Sequence, residues 1–274
     1  MSTTLFLCPQ CRSGLDVAPE YTGDFECSCG FSVAVTRGVP LFLIDQQDSG
    51  KNSALAESTF RKPAGYERLI SIKSGIQRAI AQRDARIGIA EFVNGASVLD
   101  VGCGPSLDLP SAENDHETAD CYYGVDASAE FVLAARDNHP GAKYRFAQAD
   151  TRALPFADNS FDTVLASFTI HHVAGDPASV VHELTRVARR HIVIYDHLRA
   201  APSFKRRIQD TYWKYFDGGE NYLTAEEWGS VLADLSVRRS VRSGVLFGHV
   251  VKFACDAPDT ARSTDFQSQA ETRF

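Results

Sequence analysis

Three aspartates in this chain each close a short apolar run. Asp100 falls in Val98-Leu99-Asp100-Val101, Asp126 ends Tyr122-Tyr123-Gly124-Val125, and Asp150 follows Phe146-Ala147-Gln148-Ala149. The first run leads into Gly102-Cys103-Gly104-Pro105-Ser106, where two residues without β-carbons let bare backbone amides approach a ligand. An acid at the tip of a second strand is placed to accept hydrogen bonds from two ribose hydroxyls. One after a third strand is placed to accept from an adenine amino group. Together these groups suit a nucleotide-like ligand lying at the carboxyl edge of a parallel sheet, across the point where the strand order reverses.

A second chemistry is carried by cysteine. Of the seven cysteines, Cys8, Cys11, Cys27 and Cys29 crowd the N-terminus, while Cys103, Cys121 and Cys255 are scattered through apolar stretches. Two cysteine pairs at tight turns can place four thiolates tetrahedrally around Zn2+, and a segment this short builds little core unaided. The pattern reads as a zinc ribbon, with a site that has lost its metal and a redox thiol set as alternatives. Four thiolates leave no open coordination position, so such a metal is structural. The single residue between Cys27 and Cys29 makes the second turn tighter than the first.

The elements that must position these groups follow from pattern. With 274 residues the chain has room for one large domain and a small one. Residues 1–45 hold the ribbon, polar residues 46–65 a linker, residues 66–256 the main domain and residues 257–274 a polar tail expected to be disordered. From Tyr66 to Val93 apolar residues recur at helical spacing, giving one or two helices that cover the sheet or form a lid. Strands are expected at Ser97–Val101, Tyr122–Val125, Tyr144–Gln148, Thr163–Ser167, His191–Tyr195, Val237–Arg242 and Val250–Ala254, with helical runs between most of the first six. That alternation predicts an α/β fold: a seven-stranded, mostly parallel sheet with helices on both faces and an antiparallel pair at one end. The net charge of −7 disfavours nucleic acid and anionic lipid as partners. No uncharged run is long enough to span a bilayer and no leader pattern opens the chain, so a cytoplasmic location is expected.

Four runs, VLDVGCG (98–104), GVD (124–126), ADTRALPFADNSFDTVLASFTIHHV (149–173) and ELTRVARRHIVIYDH (183–197), resemble the Rossmann-like class I S-adenosylmethionine-dependent methyltransferases. The resembling branch includes the ubiquinone and menaquinone C-methyltransferases. The resemblance implies that Asp100, Gly102 and Gly104 cradle the methionine part of the cofactor, with the acid facing its amine. It further implies that Asp126 holds the ribose beside Ala127 and Ser128, that Asp150 and Thr151 bracket adenine, and that Ser167 lies next to the sulfonium and the acceptor. Pro105-Ser106 stands where many members have a third glycine, and Leu107–Asp120 is polar and acid-rich where the family packs an apolar helix. The N-terminal segment is similar to the zinc-binding activator subunit of tRNA and protein methyltransferases, and to the ribbon fused to bacterial ribosomal RNA guanine methyltransferases.

Methyl transfer from a sulfonium needs alignment and exclusion of water, and a base only where the acceptor is protonated. His171 and His172 after the fourth strand, and His197 after the fifth, are the candidate bases. Asp196 and His197, adjacent on a strand, are expected to point apart. Tyr212, Trp213, Tyr215 and Tyr222 lie in a helical insertion after the fifth strand, together with a capping-box start at Thr224-Ala-Glu-Glu227. They form either a satellite core or an acceptor pocket. The expected activity is methylation of a small organic acceptor at O, N or C. The alternatives are an RNA base methyltransferase that uses the ribbon for recognition, and a catalytically silent cofactor- or protein-binding partner.

Overall fold

A computed structural model describes residues 6–15, 23–43, 90–93, 96–106, 119–213, 217, 219–245 and 248–258. From the cysteine-bearing segment come β1 (Phe25–Glu26), β2 (Ser32–Thr36) and β3 (Val39–Leu41). The main domain supplies β4 (Ser97–Val101), β5 (Cys121–Asp126), β6 (Tyr144–Gln148), β7 (Phe161–Ser167), β8 (Ala188–Leu198), β9 (Ser236–Val245) and β10 (Gly248–Asp256). The described helices are α1 (Ala90–Val93), α2 (Ala129–Asn138), α3 (Pro177–Val187), α4 (Phe204–Tyr212) and α5 (Ala225–Val231). All seven expected strands are present, several longer than the apolar run alone indicates. β8 extends furthest because it is paired on both sides, parallel to β7 and antiparallel to β10.

The strand order is β1-β2-β3-β6-β5-β4-β7-β8-β10-β9. β4 is central, with Val98, Leu99 and Val101 fully buried, which is why it reads as a nearly unbroken apolar run. It pairs in parallel with β5 on one side and β7 on the other, Asp100 standing between Gly124 and Leu165. The connections leave in opposite directions at β4, so a crevice opens at its carboxyl end. Helix starts are defined by side chains: Ser128 accepts from the Phe131 amide at 3.3 Å ahead of α2, and Asp176 from the Ala178 amide at 2.9 Å ahead of α3. The capping box expected at α5 is formed in both directions, Glu227 N to Thr224 Oγ1 at 3.3 Å and Thr224 N to Glu227 Oε2 at 2.7 Å.

The strands of the cysteine-bearing segment do not stand apart as a separate sheet. β3 runs parallel to β6, with Leu41 opposite Gln148 and the Phe42 amide donating to the Gln148 carbonyl at 3.1 Å, so the seven-stranded sheet continues into ten strands. The physical reason is the core. Phe6 packs on Phe42 (5.1 Å between ring centroids), Phe156 (5.4 Å) and Tyr123 (6.4 Å), so the small segment shares the apolar interior of its neighbour. The seat is Leu154-Pro155-Phe156: the Leu7 amide donates to the Pro155 carbonyl at 3.0 Å and Arg12 to that of Leu154 at 3.2 Å. Arg186 on α3 braces this seat from beneath, donating to the carbonyls of Leu154 (3.0 Å) and Phe156 (2.7 Å) and pairing with Glu183 and Asp158. The expected linker, the helices before Ala90, the run at 107–118 and the tail beyond 258 lie outside the described residues.

Candidate active site

The turn after β4 is built on left-handed backbone. Gly102 has φ 74° and Gly104 φ 54°. A β-carbon on Gly102 would collide with the Thr169 side chain, whose hydroxyl donates to the Val101 carbonyl at 3.0 Å. Over Gly104 the space is open: nothing lies within 4 Å of where a β-carbon would stand. Bare backbone beside empty space is the cradle that an aminoacyl group of a cofactor requires, so the residues present fit S-adenosylmethionine. Ser106, in the position of the family's third glycine, keeps a left-handed backbone (φ 53°). The turn's end is tied to the end of α2, Asn138 donating to the Pro105 carbonyl and His139 meeting that of Ser106, both at 3.0 Å.

Around this turn the three expected acids stand at their strand ends. Asp100 accepts the Tyr122 hydroxyl at 2.5 Å. Asp126 accepts the Ser128 amide at 2.9 Å and the Gly104 amide at 3.0 Å, so one carboxylate joins the glycine turn to the start of α2. Burial pushes its carboxyl up from the usual range, against those backbone bonds. Gln148, not singled out in the sequence, holds the Ala127 carbonyl at 2.9 Å. Asp150 lies in a fork with Arg152, which donates at 2.7–3.2 Å. Against its partial burial, that fork holds the Asp150 carboxyl low. Thr151 beside it is buried, and Ser167 is exposed at the end of β7.

Thr169 links this half of the site to a second one, because the three-residue turn Ile170–His172 follows it directly. His171 is only 2% exposed and sits between two acids, Nδ1 at 2.5 Å from Asp196 Oδ1 and Nε2 at 3.0 Å from Asp217 Oδ2. Burial by itself would strip its proton; the two carboxylates outweigh that, and the imidazole is pushed up to about 10. Asp196 and Asp217 are held below the usual carboxylate range against their own burial, chiefly by His171. His172, half-buried and beside that charge, is pulled down to about 3 by desolvation and by His171. His197 Nε2 lies 3.9 Å from Asp217 Oδ1. Although adjacent on β8, Asp196 and His197 both border the His171 ring: the Asp196 carboxylate meets Nδ1 and takes the backbone amide of His197, while the His197 ring lies 4.7 Å from that of His171.

Rings wall the space beside these histidines. Trp213 and Tyr222 stack at 3.9 Å with planes 3° apart, and the His197 ring lies 5.3 Å from Trp213, 5.8 Å from Tyr222 and 5.0 Å from Phe168. The Tyr222 hydroxyl donates to Asp217 at 2.5 Å. The side chain of Tyr212 and the whole of Tyr215 lie outside the described residues. Asp217 and Phe168 were missed in the sequence. The signal for Asp217 was only its place before Gly218-Gly219, a turn signal that says nothing of His171.

The four N-terminal cysteines converge although they come from two turns. Cys8 and Cys29 sulfurs are 3.6 Å apart, Cys11 and Cys27 3.5 Å, and all four lie within 4.8 Å of one another. Tetrahedral coordination with bonds of about 2.3 Å puts sulfurs about 3.8 Å apart, so the set fits zinc and far exceeds the disulfide length of about 2.05 Å. The left-handed residues Arg12 (φ 62°) and Gly30 (φ 88°) close the two turns.

Residues 99–194 match the family model described as a methyltransferase domain. A phosphatidylethanolamine N-methyltransferase from Cereibacter sphaeroides is 38% identical over 147 residues, covering 48% of this chain and 69% of that protein. A demethylmenaquinone methyltransferase from Desulfitobacterium hafniense is 28% identical, covering 62% of this chain and 68% of that one. Among solved structures, a chain of the complex between the Haloferax volcanii Trm112 methyltransferase activator and a methyltransferase shares the fold, with a TM-score of 0.58, 17% identity and coverage of 73% and 99%. With the crevice, the open glycine turn and these likenesses together, the chain belongs to the class I S-adenosylmethionine-dependent methyltransferases and is an enzyme of that kind.

Proposed function

We propose that this enzyme methylates a small organic acceptor seated against Phe168, His197, Trp213 and Tyr222. S-adenosylmethionine supplies an electrophilic methyl group on a sulfonium. Asp100, Gly102 and Gly104 would hold its aminoacyl end, Asp126 its ribose with Ala127 and Ser128 alongside, and Asp150 and Thr151 its adenine, with Ser167 facing the acceptor. The observation that carries the reading is the Thr169 rivet, whose hydroxyl bonds the carbonyl of Val101 while its chain continues into the histidine turn. A donor on the glycine turn and an acceptor beside the histidines would then sit on one rigid edge, which is the alignment that in-line transfer needs. Of the three histidines, His197 is best placed to take a proton from the acceptor, since its ring lies among those aromatic walls. His171 lies behind it, held at Nδ1 by Asp196, and positions its neighbours. Lipid amines and quinones, the acceptors named in the relatives, are the acceptor classes to try first.

Calorimetry with S-adenosylmethionine is expected to give saturable binding that Asp126→Ala weakens about 30-fold, as loss of hydrogen bonds worth about 2 kcal/mol to a charged acceptor implies. Unchanged affinity in that variant would remove the ribose assignment. Release of S-adenosylhomocysteine would then be followed with phosphatidylethanolamine vesicles, a demethylated quinone and total RNA; turnover with RNA alone would overturn the small-molecule reading.

We further propose that residues 1–45 are a zinc ribbon with Cys8, Cys11, Cys27 and Cys29 as ligands and a scaffolding role. Support comes from the sulfur spacing and from the shared core at Phe6. Elemental analysis of purified protein should find one zinc bound through this set, lost in Cys8→Ser; a chain purified without zinc that melts at the same temperature as a zinc-loaded one would rule it out.

A further inference from the structure

The two acids that flank His171 are buried, Asp196 to 1% and Asp217 to 6% exposure, and among the described residues their ion pairs are with imidazoles alone. Buried carboxylates are ordinarily matched by a cation, a role that His171 fills by holding two protons or that a metal ion fills by displacing the one on Nε2. His171 Nε2 is itself buried and, although 3.0 Å from Asp217 Oδ2, makes no aligned hydrogen bond. Close approach of a nitrogen and an oxygen without donor alignment is the relation of two neighbouring ligands on one cation, where bonds of about 2.1 Å leave adjacent donor atoms about 3.0–3.4 Å apart.

We propose that His171 Nε2, His172 and Asp217 bind a divalent first-row transition ion of the zinc class. One ligand atom from each lies within 4.8 Å of those from the others. The supports behind the ligands are already in place. Asp196 holds His171 Nδ1 at 2.5 Å, the carboxylate–histidine arrangement that fixes the tautomer of a metal ligand. The Tyr222 hydroxyl, which also takes the Gly219 amide at 3.0 Å, holds Asp217. Two imidazoles and a carboxylate favour zinc, iron or cobalt over magnesium or calcium. Three protein ligands, unlike the four thiolates of the ribbon, leave positions open. Those positions suit an acceptor that presents a hydroxyl or enol beside a second oxygen. This choice of acceptor rests on the methyl-transfer reading above; the ion site does not.

The test uses the full chain, dialysed against a weak chelator until only thiolate-held zinc remains, and titrated with Co2+. One Co2+ per chain is expected to bind with visible d–d absorption but without thiolate-to-cobalt charge transfer, which would report exchange into the ribbon. Affinity should fall at least tenfold in His172→Ala and in Asp217→Asn, and stay unchanged in His182→Ala, whose side chain is exposed on α3. No saturable binding in the unmodified chain overturns the proposal whether or not the variants fold, as does equal affinity in folded variants. A chain that binds Co2+ but not S-adenosylmethionine would refute the cofactor reading and leave the ion site standing. The reverse result would remove the ion site alone.

Discussion

Gly102→Ala should lower the unfolding free energy by about 3 kcal/mol, which is about 10 °C in melting temperature for a domain of this size. Two costs add. The residue sits at φ 74°, where an L side chain costs about 1–2 kcal/mol, and its new methyl group would run into Thr169, 2.8 Å from that residue's Cβ. Thr169 cannot simply turn away, because its hydroxyl is bonded to the Val101 carbonyl. A second change, Thr169→Ala, should therefore recover part of the loss, and denaturant titration of the four chains of that cycle measures the coupling. Gly104→Ala makes the contrast. Its backbone is also left-handed, yet nothing crowds it, so it should cost only about 1–2 kcal/mol in stability while filling the cradle and removing cofactor affinity. If both variants lose stability equally and bind equally, Thr169 does not couple the two halves of the site.

Replacing His171 by leucine is the other change with a large expected effect, about 3–5 kcal/mol. The imidazolium is the charge partner of Asp196 at 2.5 Å and Asp217 at 3.0 Å, and without it two buried carboxylates are left uncompensated. Non-additivity gives the diagnostic. His171→Leu combined with Asp196→Asn should be less damaging than the sum of the separate changes, because the second substitution removes a charge that the first has stranded. Equilibrium denaturation reads both. Simple additivity would mean that the ring acts by filling space and not by charge.

The sheet was readable because β4 to β8 are apolar, β-rich runs, with helical ones after β5 and β7, and because their ends carry acids and glycines that a buried strand would not otherwise tolerate. Alternation along β8 did not foretell that Asp196 and His197 would both border the His171 ring. Local pattern carries no information about partners that meet only on folding. Asp217 reaches His171 through an insertion far along the chain, so the three histidines looked alike in the sequence. In the fold, one lies buried between two carboxylates, one is half-buried beside it and one is a wall of the aromatic space. The convergence of the four cysteines in the N-terminal segment was legible from their spacing. The segment's attachment was not, because the fit of Phe6 and Phe42 to Leu154-Pro155-Phe156 depends on surfaces that neither segment spells out.

That attachment bears on how the protein behaves in a crowded solution. Without β3, strand β6 would present a row of unpaired amides and carbonyls at the rim of a parallel sheet, a template on which a second chain can stack. The cysteine segment meets that rim at its carboxyl end, where Leu41 stands opposite Gln148, and passes the boundary outward to β1, which has only two residues. Removing that cover is expected to raise self-association, so a truncated enzyme beginning after residue 45 should scatter more light than the full chain at equal concentration.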